Sequence, residues 1–275
     1  MSEQPVASCF SVGSVAGAYE DIYVPRIFGP WARLLVEEAN LRPGESVLDV
    51  ATGPGTVAHL AAERVGPKGR VVAADISAAM LEIAKQKPRL ANSAEIHYVV
   101  SPAAPLLAPN SAFNVVTCQQ GLQFFPDRGA AIREMHRTLR PGGRLVVAVW
   151  RDLASQPSFA AVDAALRELL PPEQVDPYAA PFKWSSADQL ASALRGQGFA
   201  DVSVREHTLP LVYEGGSAQA LAAIAASPVA AAVAAMPEAD RGALWKAGER
   251  HLAPLVRGGQ VRTQMVSNIA RARKP

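Results

Sequence analysis

Cysteine is nearly absent from this sequence. Only Cys9 and Cys118 occur among 275 residues. They lie far apart, neither has metal-ligand neighbours, and there is no Cys-x-x-Cys pair, which argues against a disulfide framework, a zinc site or a thioredoxin-type redox motif. A surplus of charge of either sign is missing too. The chain carries 27 Lys and Arg against 25 Asp and Glu, a formal net charge of +2. Its one basic run, Arg271-Ala272-Arg273-Lys274, is too short for a broad phosphate-binding face, so a nucleic-acid partner is disfavoured. The start, Met1-Ser2-Glu3-Gln4-Pro5, lacks the basic and apolar regions of a signal peptide, so a cytoplasmic protein with reduced thiols is expected. The stretch from Ala218 to Met236 contains no charged residue. It has the length of a membrane span, but it is mostly weakly apolar alanine and Pro228 interrupts it. A packed pair of helices is expected there, and no membrane partner.

What is present is an ample supply of core residues. Hydrophobic residues make up 49% of the chain and charged residues 19%, a balance that favours a sizeable core over disorder. The length suits one large domain, or one domain with an insertion. Strand-like and helix-like segments alternate. Strands are expected over 46–50, 70–74, 96–100, 113–118 and 145–150, a sixth from Val202 and a last one near Val261. Helices are expected over 31–39, from Thr56 as cap through Arg64, from Ser77 as cap through Lys87, over 128–139 capped by Asp127, over 158–170 and over 186–195. Arg140-Pro141-Gly142-Gly143 reads as a helix stop and tight turn. This rhythm predicts an α/β fold: a Rossmann-like, doubly wound, seven-stranded, mostly parallel sheet with helices on both faces and a C-terminal helical insertion. The expected divisions are an N-terminal helical cap (1–45), a cofactor-binding core (46–214), a helical lid or insertion (215–258), and a final strand and tail (259–275).

The chemistry concentrates where the first strand ends. Val47-Leu48-Asp49-Val50 runs into Ala51-Thr52-Gly53-Pro54-Gly55 and then a helix, the arrangement of a nucleotide-cofactor site. Such loops usually cradle phosphates with backbone N–H groups. Asp49 places negative charge beside this one, which would repel a pyrophosphate. It suits a cofactor with an adenosine, no phosphate and a positive charge, a description that S-adenosylmethionine (SAM) fits. Asp75, 20 residues after Gly55, lies where a ribose-binding acid belongs in either a SAM or an NAD site. Asp49 can also be read as a strand-end carboxylate satisfied by the backbone N–H groups of the turn.

Four segments in order carry a resemblance. They are Val47 to Gly55, Val72-Ala73-Ala74-Asp75-Ile76-Ser77 with Met80-Leu81, Gly121-Leu122-Gln123-Phe124-Phe125-Pro126-Asp127, and Leu139-Arg140-Pro141-Gly142-Gly143. Together they resemble the class I SAM-dependent methyltransferases, in particular the group that includes the ubiquinone/menaquinone C-methyltransferases, over roughly 19–150. The resemblance implies SAM as cofactor. It implies contacts from Asp49, Ala51, Thr52, Gly53 and Gly55 at the methionine and ribose parts, and a bidentate Asp75 on the ribose hydroxyls. It also implies Ile76 and Met80 against adenine, and Gln119 at the methionine part. Where the family offers an acid to the adenine amino group, this chain has Pro102, so the backbone N–H of Ala103 is the expected substitute.

Methyl transfer from a sulfonium requires above all proximity and orientation, and a base only where the acceptor must lose a proton first. The candidates for contact with the acceptor are Gln123, Tyr19 and His207; Tyr23 lies in the same N-terminal segment as Tyr19. His59 and His136 fall within expected helices, and no metal ligands are expected. The place after the fourth strand reads Cys118-Gln119-Gln120-Gly121, which is not the Asn/Asp-Pro-Pro-aromatic motif of nucleobase amino methylation. Cys118 follows Thr117 rather than proline, which sets aside a cytosine-C5 enzyme, and no paired-glutamate loop of a protein-arginine enzyme is present. The expected function is methyl transfer to a small apolar or aromatic metabolite, at oxygen or carbon rather than nitrogen, by a monomer or homodimer. An NAD-linked oxidoreductase and a non-catalytic SAM-binding protein are the alternatives.

Overall fold

A computed structural model describes residues 13–275; Cys9 and the N-terminal segment read against a signal peptide lie outside the described residues. The chain opens with α1 (Gly13–Ala18), a π-helix (Tyr19–Phe28) and α2 (Gly29–Ala39). It continues through β1 (Ser46–Val50), α3 (Thr56–Val65), β2 (Arg70–Asp75), α4 (Ala78–Gln86), β3 (Glu95–Val100), β4 (Phe113–Gln119), α5 (Arg128–Thr138) and β5 (Leu139–Trp150). Then come α6 (Pro157–Leu169), α7 (Pro172–Ala179), α8 (Ala187–Gly196) and β6 (Ala200–Tyr213). Last are α9 (Gly216–Ala222), α10 (Ala230–Ala234), α11 (Glu238–Leu252), β7 (Val256–Arg257) and β8 (Gln260–Arg273).

The strand order is β3-β2-β1-β4-β5-β8-β6, with the two-residue β7 pairing only with β8. The four pairings from β3 to β5 are parallel, and β8 runs antiparallel to both β5 and β6. This is the expected doubly wound α/β sheet of seven strands, with β7 as an unexpected short addition. Successive residues of a strand point to opposite faces, and β1 shows the consequence. Val47 joins the core between the sheet and the layer holding α2 and α3, while Leu48 and Val50 join the core beneath α5 and α8. Asp49 therefore shares the face of Val47. Parallel strands covered on both sides are buried throughout, hence the continuous apolar runs of β4 and β5.

Local sequence signals place the first elements. Ser77 caps α4 by accepting from the Met80 amide, and Asp127 caps α5 by accepting from that of Ala130. Thr56 is the first helical residue and not the cap of α3; Gly55, with φ 77°, holds the cap position, because only glycine enters the left-handed region without steric cost. Arg140 to Gly143 is not a free turn. It belongs to β5, whose register against β4 is irregular between Phe113 and Val115, and the amide of Gly142 donates to the carbonyl of Lys274. The stretch from Ala218 to Met236 holds two short helices, α9 and α10, joined by a 3-10 turn and Ser227-Pro228; α11 follows after Pro237. Among the described residues no helix is long and apolar enough to cross a membrane.

Candidate active site

A cavity of about 520 Å³ opens at the carboxyl ends of β1, β2, β4 and β5, the crevice where open α/β sheets place their ligands. One end is made of loops. Ala51 and Gly53 come from the turn after β1, Asp75, Ile76 and Met80 from the β2–α4 junction, and Ala103 and Gln119 from the ends of β3 and β4. Gly53 has φ 54° and nothing within 4 Å of where a side chain would begin, so its backbone is open to a ligand. Its amide donates to Asp75 Oδ2 at 2.7 Å, and the amide of Ser77 donates to Oδ1 at 2.8 Å. Burial pushes the Asp75 carboxyl upward against the pull of these bonds. A carboxylate has about four acceptor positions, so both oxygens retain capacity. Ile76 is 61% exposed at the mouth, an isolated apolar side chain beside a nearly buried Met80.

Three residues of the sequence motif do not border the cavity. Asp49 is 1% exposed and lies behind the loop. Its carboxylate accepts from Thr52 Oγ1 at 2.6 Å and Thr117 Oγ1 at 2.7 Å, so side-chain hydroxyls satisfy it. No cation pairs with it among the described residues, and burial pushes its pKa up to about 6, opposed by the two hydroxyls. The hydroxyl of Thr52 is committed to that bond. Gly55 packs on a helix instead: a Cβ there would stand 2.9 Å from Ala84 Cβ of α4.

The acceptor candidates separate. Tyr19 borders the cavity and stacks on Phe28, ring centroids 4.6 Å apart and 21° from parallel. Burial, and then the charge of Asp75, raise its phenol far above the ordinary value, so it stays protonated and cannot serve as a base. Gln123 is buried but does not line the cavity; neither atom of its amide group has a partner among the described residues. His207 is not at the cavity. It lies on β6, with Nε2 3.9 Å from Glu38 Oε1 of α2, because the strand continues to Tyr213 and carries position 207 along the sheet edge.

The other end of the cavity was not foreseen. It is an aromatic wall of Tyr23, Phe28, Trp150, Phe159, Tyr178 and Phe182. Among the described residues nine aromatic side chains border the cavity, in a chain with only 4 Trp, 5 Tyr and 8 Phe. Their convergence is therefore selective and not a by-product of abundance. Phe28 sits 6.1 Å from Trp150, and Phe159 lies 6.0 Å from Tyr178 and 5.4 Å from Phe182 between ring centroids, spacings of favourable aromatic pairs. The Tyr23 hydroxyl donates to the carbonyl of Ala223 at 2.9 Å, joining the π-helix to the Ala-rich segment. That segment contributes Ala226, Ser227 and Pro228 to the wall. Gln119 fastens the π-helix from the other side, with Nε2 donating to the carbonyl of Phe28 at 3.0 Å. The sequence signal was faint: Phe159 and Phe182 lie in segments with no motif of their own. Among the described residues no group of three His, Cys, Asp or Glu could hold a metal ion.

Comparisons with known proteins agree with this geometry. Residues 1–171 match the model of the ubiE/COQ5 methyltransferase family. The ubiquinone/menaquinone biosynthesis C-methyltransferase UbiE of Hahella chejuensis is 38% identical over 149 residues, covering 53% of this chain and 59% of that protein. The chain thus spans about three-fifths of the length of the curated relatives it matches. In fold it is similar to the Haemonchus contortus phosphoethanolamine N-methyltransferase 2, with TM-score 0.62 at 17% identity, covering 98% of this chain and 59% of that one. It is also similar to the YcgJ protein of Bacillus subtilis, with TM-score 0.58 at 18% identity, covering 88% and 97%. With the family match extending over more than half of the chain, through β5 and α6, the chain belongs to the ubiE/COQ5 methyltransferase family.

Proposed function

We propose that the protein transfers a methyl group from SAM to a small, neutral aromatic acceptor, at carbon or oxygen and not at nitrogen. Family membership makes it a SAM-dependent methyltransferase, and the NAD-linked alternative falls away. The loop end of the cavity fits SAM. Asp75 offers acceptor capacity for two ribose hydroxyls, Gly53 an open backbone, and Ile76 and Met80 apolar surface for a purine. When bound, SAM supplies a methyl carbon on a positively charged sulfur, open to in-line attack by the acceptor. The protein's own residues hold the acceptor, exclude water and orient its nucleophilic atom.

The observation that carries the choice of acceptor is the aromatic end. Among the described residues, the only charged ones bordering the cavity are Asp75, at the loop end, and Asp127, an exposed helix cap. An amine is a cation at neutral pH and calls for a carboxylate partner when buried; a neutral ring calls only for apolar area and edge contacts. The Hahella chejuensis relative, a C-methyltransferase by name, favours carbon. We further propose that residues 1–45 act as a cap, 46–214 as the core and 215–258 as a lid, since the π-helix and Ser227-Pro228 wall the same cavity. Residues 259–275 would complete the sheet.

Calorimetry with SAM, S-adenosylhomocysteine and NAD, followed by methyl transfer from labelled SAM to phenols, quinols and amines, tests the reading. Binding of the first two ligands alone and turnover of phenols or quinols are expected. Turnover confined to amines would overturn the choice of acceptor.

A further inference from the structure

The rim of the cavity beside β2 and β3 offers a donor and no side-chain acceptor. It is formed by Ile76 and Met80 from the β2–α4 junction and by Ser101 to Ala104 after β3. The hydroxyl of Ser101 is turned into its own loop. Its Oγ accepts from the amide of Leu107 at 2.9 Å and donates to the carbonyl of Pro102 at 2.9 Å, and the residue is 3% exposed. Pro102 brings neither an N–H group nor a polar side chain. Ala103 and Ala104 end at a methyl group. The amide of Ala103 makes no hydrogen bond among the described residues. The two carboxylates on the cavity have other places: Asp75 lies at the end of β2, held by Gly53 and Ser77, and Asp127 caps α5 by accepting from Ala130. The rim is also open outward, since Ile76 and Ala104 are exposed.

A purine of the adenine type carries N–H donors on its 6-amino group and acceptors on its ring nitrogens. A rim whose free polar group is an N–H suits a ring nitrogen and cannot hold an amino group. We propose that this cofactor site does not read the 6-amino group of the purine, and that it accepts S-adenosyl ligands substituted on that nitrogen, with Pro102 as the residue that sets the tolerance. The inference rests on the SAM placement given under Proposed function, with the ribose at Asp75 and the purine against Ile76 and Met80, and adds the specificity of that end. An amino group left facing water gives up no protein contact when its hydrogens are replaced by methyl groups. A site that pairs the amino group penalises the same replacement, because its acceptor is then left unpaired.

The test is calorimetric binding of S-adenosylhomocysteine and of its N6,N6-dimethyl derivative. The parent is expected to bind the two within about threefold, less than the worth of one hydrogen bond. Pro102→Asp, which puts a carboxylate on the rim, is expected to bind S-adenosylhomocysteine about tenfold more tightly and the dimethyl derivative no more tightly, so that a preference of about tenfold appears. A parent that prefers S-adenosylhomocysteine by tenfold or more overturns the proposal, because some group then pairs with the amino hydrogens. A folded Pro102→Asp protein without the new preference overturns the assignment to Pro102. If that variant fails to fold, the comparison in the parent decides the matter. Failure of the parent to bind either ligand would instead sink the SAM placement beneath the proposal.

Discussion

The loop end of the cavity draws on segments that follow β1, β2, β3 and β4, each starting from the end of its own strand. The aromatic end draws on a π-helix, the tip of β5, α6, α7 and the turn after it, spread from residue 23 to residue 182. At the loop end, polar groups are paired within short reach, as Asp75 is with Gly53 and Ser77. At the aromatic end, contacts are between rings, and the hydrogen bonds tie distant elements together, as Tyr23 ties the π-helix to Ala223. The difference is one of information. Loops tied to the ends of successive strands leave a trace in sequence spacing, whereas a wall of side chains from separate elements leaves only a set of scattered aromatic residues.

If the two ends serve different ligands, substitutions should divide between them. The largest effect is expected from Asp75→Ala. Losing a carboxylate that accepts from two ribose hydroxyls should weaken SAM by about 100-fold or more in calorimetry. An unchanged Kd would dissolve the distinction between the ends.

Asp49 gives the next effect, and its pH dependence. Asp49→Ala, which removes the acceptor that holds Thr52 behind the loop, should weaken SAM indirectly, by roughly 1–3 kcal/mol; normal SAM binding with a gain of NAD binding would be the opposite result. In the folded protein the carboxyl titrates at about 6, against an ordinary value of 3.8. The folded state thus holds a proton that the unfolded chain has already released. This residue's contribution to stability is undiminished below about 4, falls as pH rises to about 6 and is flat above. Asp49→Asn should therefore be more stable than the parent at pH 7, by on the order of 1–3 kcal/mol, with no difference near pH 4. Denaturant melts at the two pH values measure this. A difference that is the same at both would show that the buried charge is not its source.

Phe159→Ala should act at the other end, raising the acceptor KM about tenfold through lost apolar contact while SAM Kd stays within about twofold. Equal losses in both would join the two ends into one site. The smallest effect belongs to His207→Ala. With its ring beside Glu38 and away from the cavity, kcat and the pH profile should not move; loss of a limb of that profile would return it to the reaction.

The amino-acid sequence alone determined the alternation of strands and helices, the loop after β1, the caps Ser77 and Asp127, and the site of Asp75. Each is a local matter of periodicity, capping or turn chemistry, decided within a few residues. It also placed Asp49 at the strand end, but it could not say what faces Asp49 there. The hydroxyls of Thr52 and Thr117 do, and Thr117 arrives only through the β1–β4 pairing. Tertiary structure likewise took Thr56 from the cap and gave it to Gly55, drew Arg140 to Gly143 into β5, and moved His207 away from the cavity. It alone gathered the aromatic wall. Those outcomes depend on which elements meet across the sheet, and a one-dimensional chain does not state the distance between residues it holds far apart.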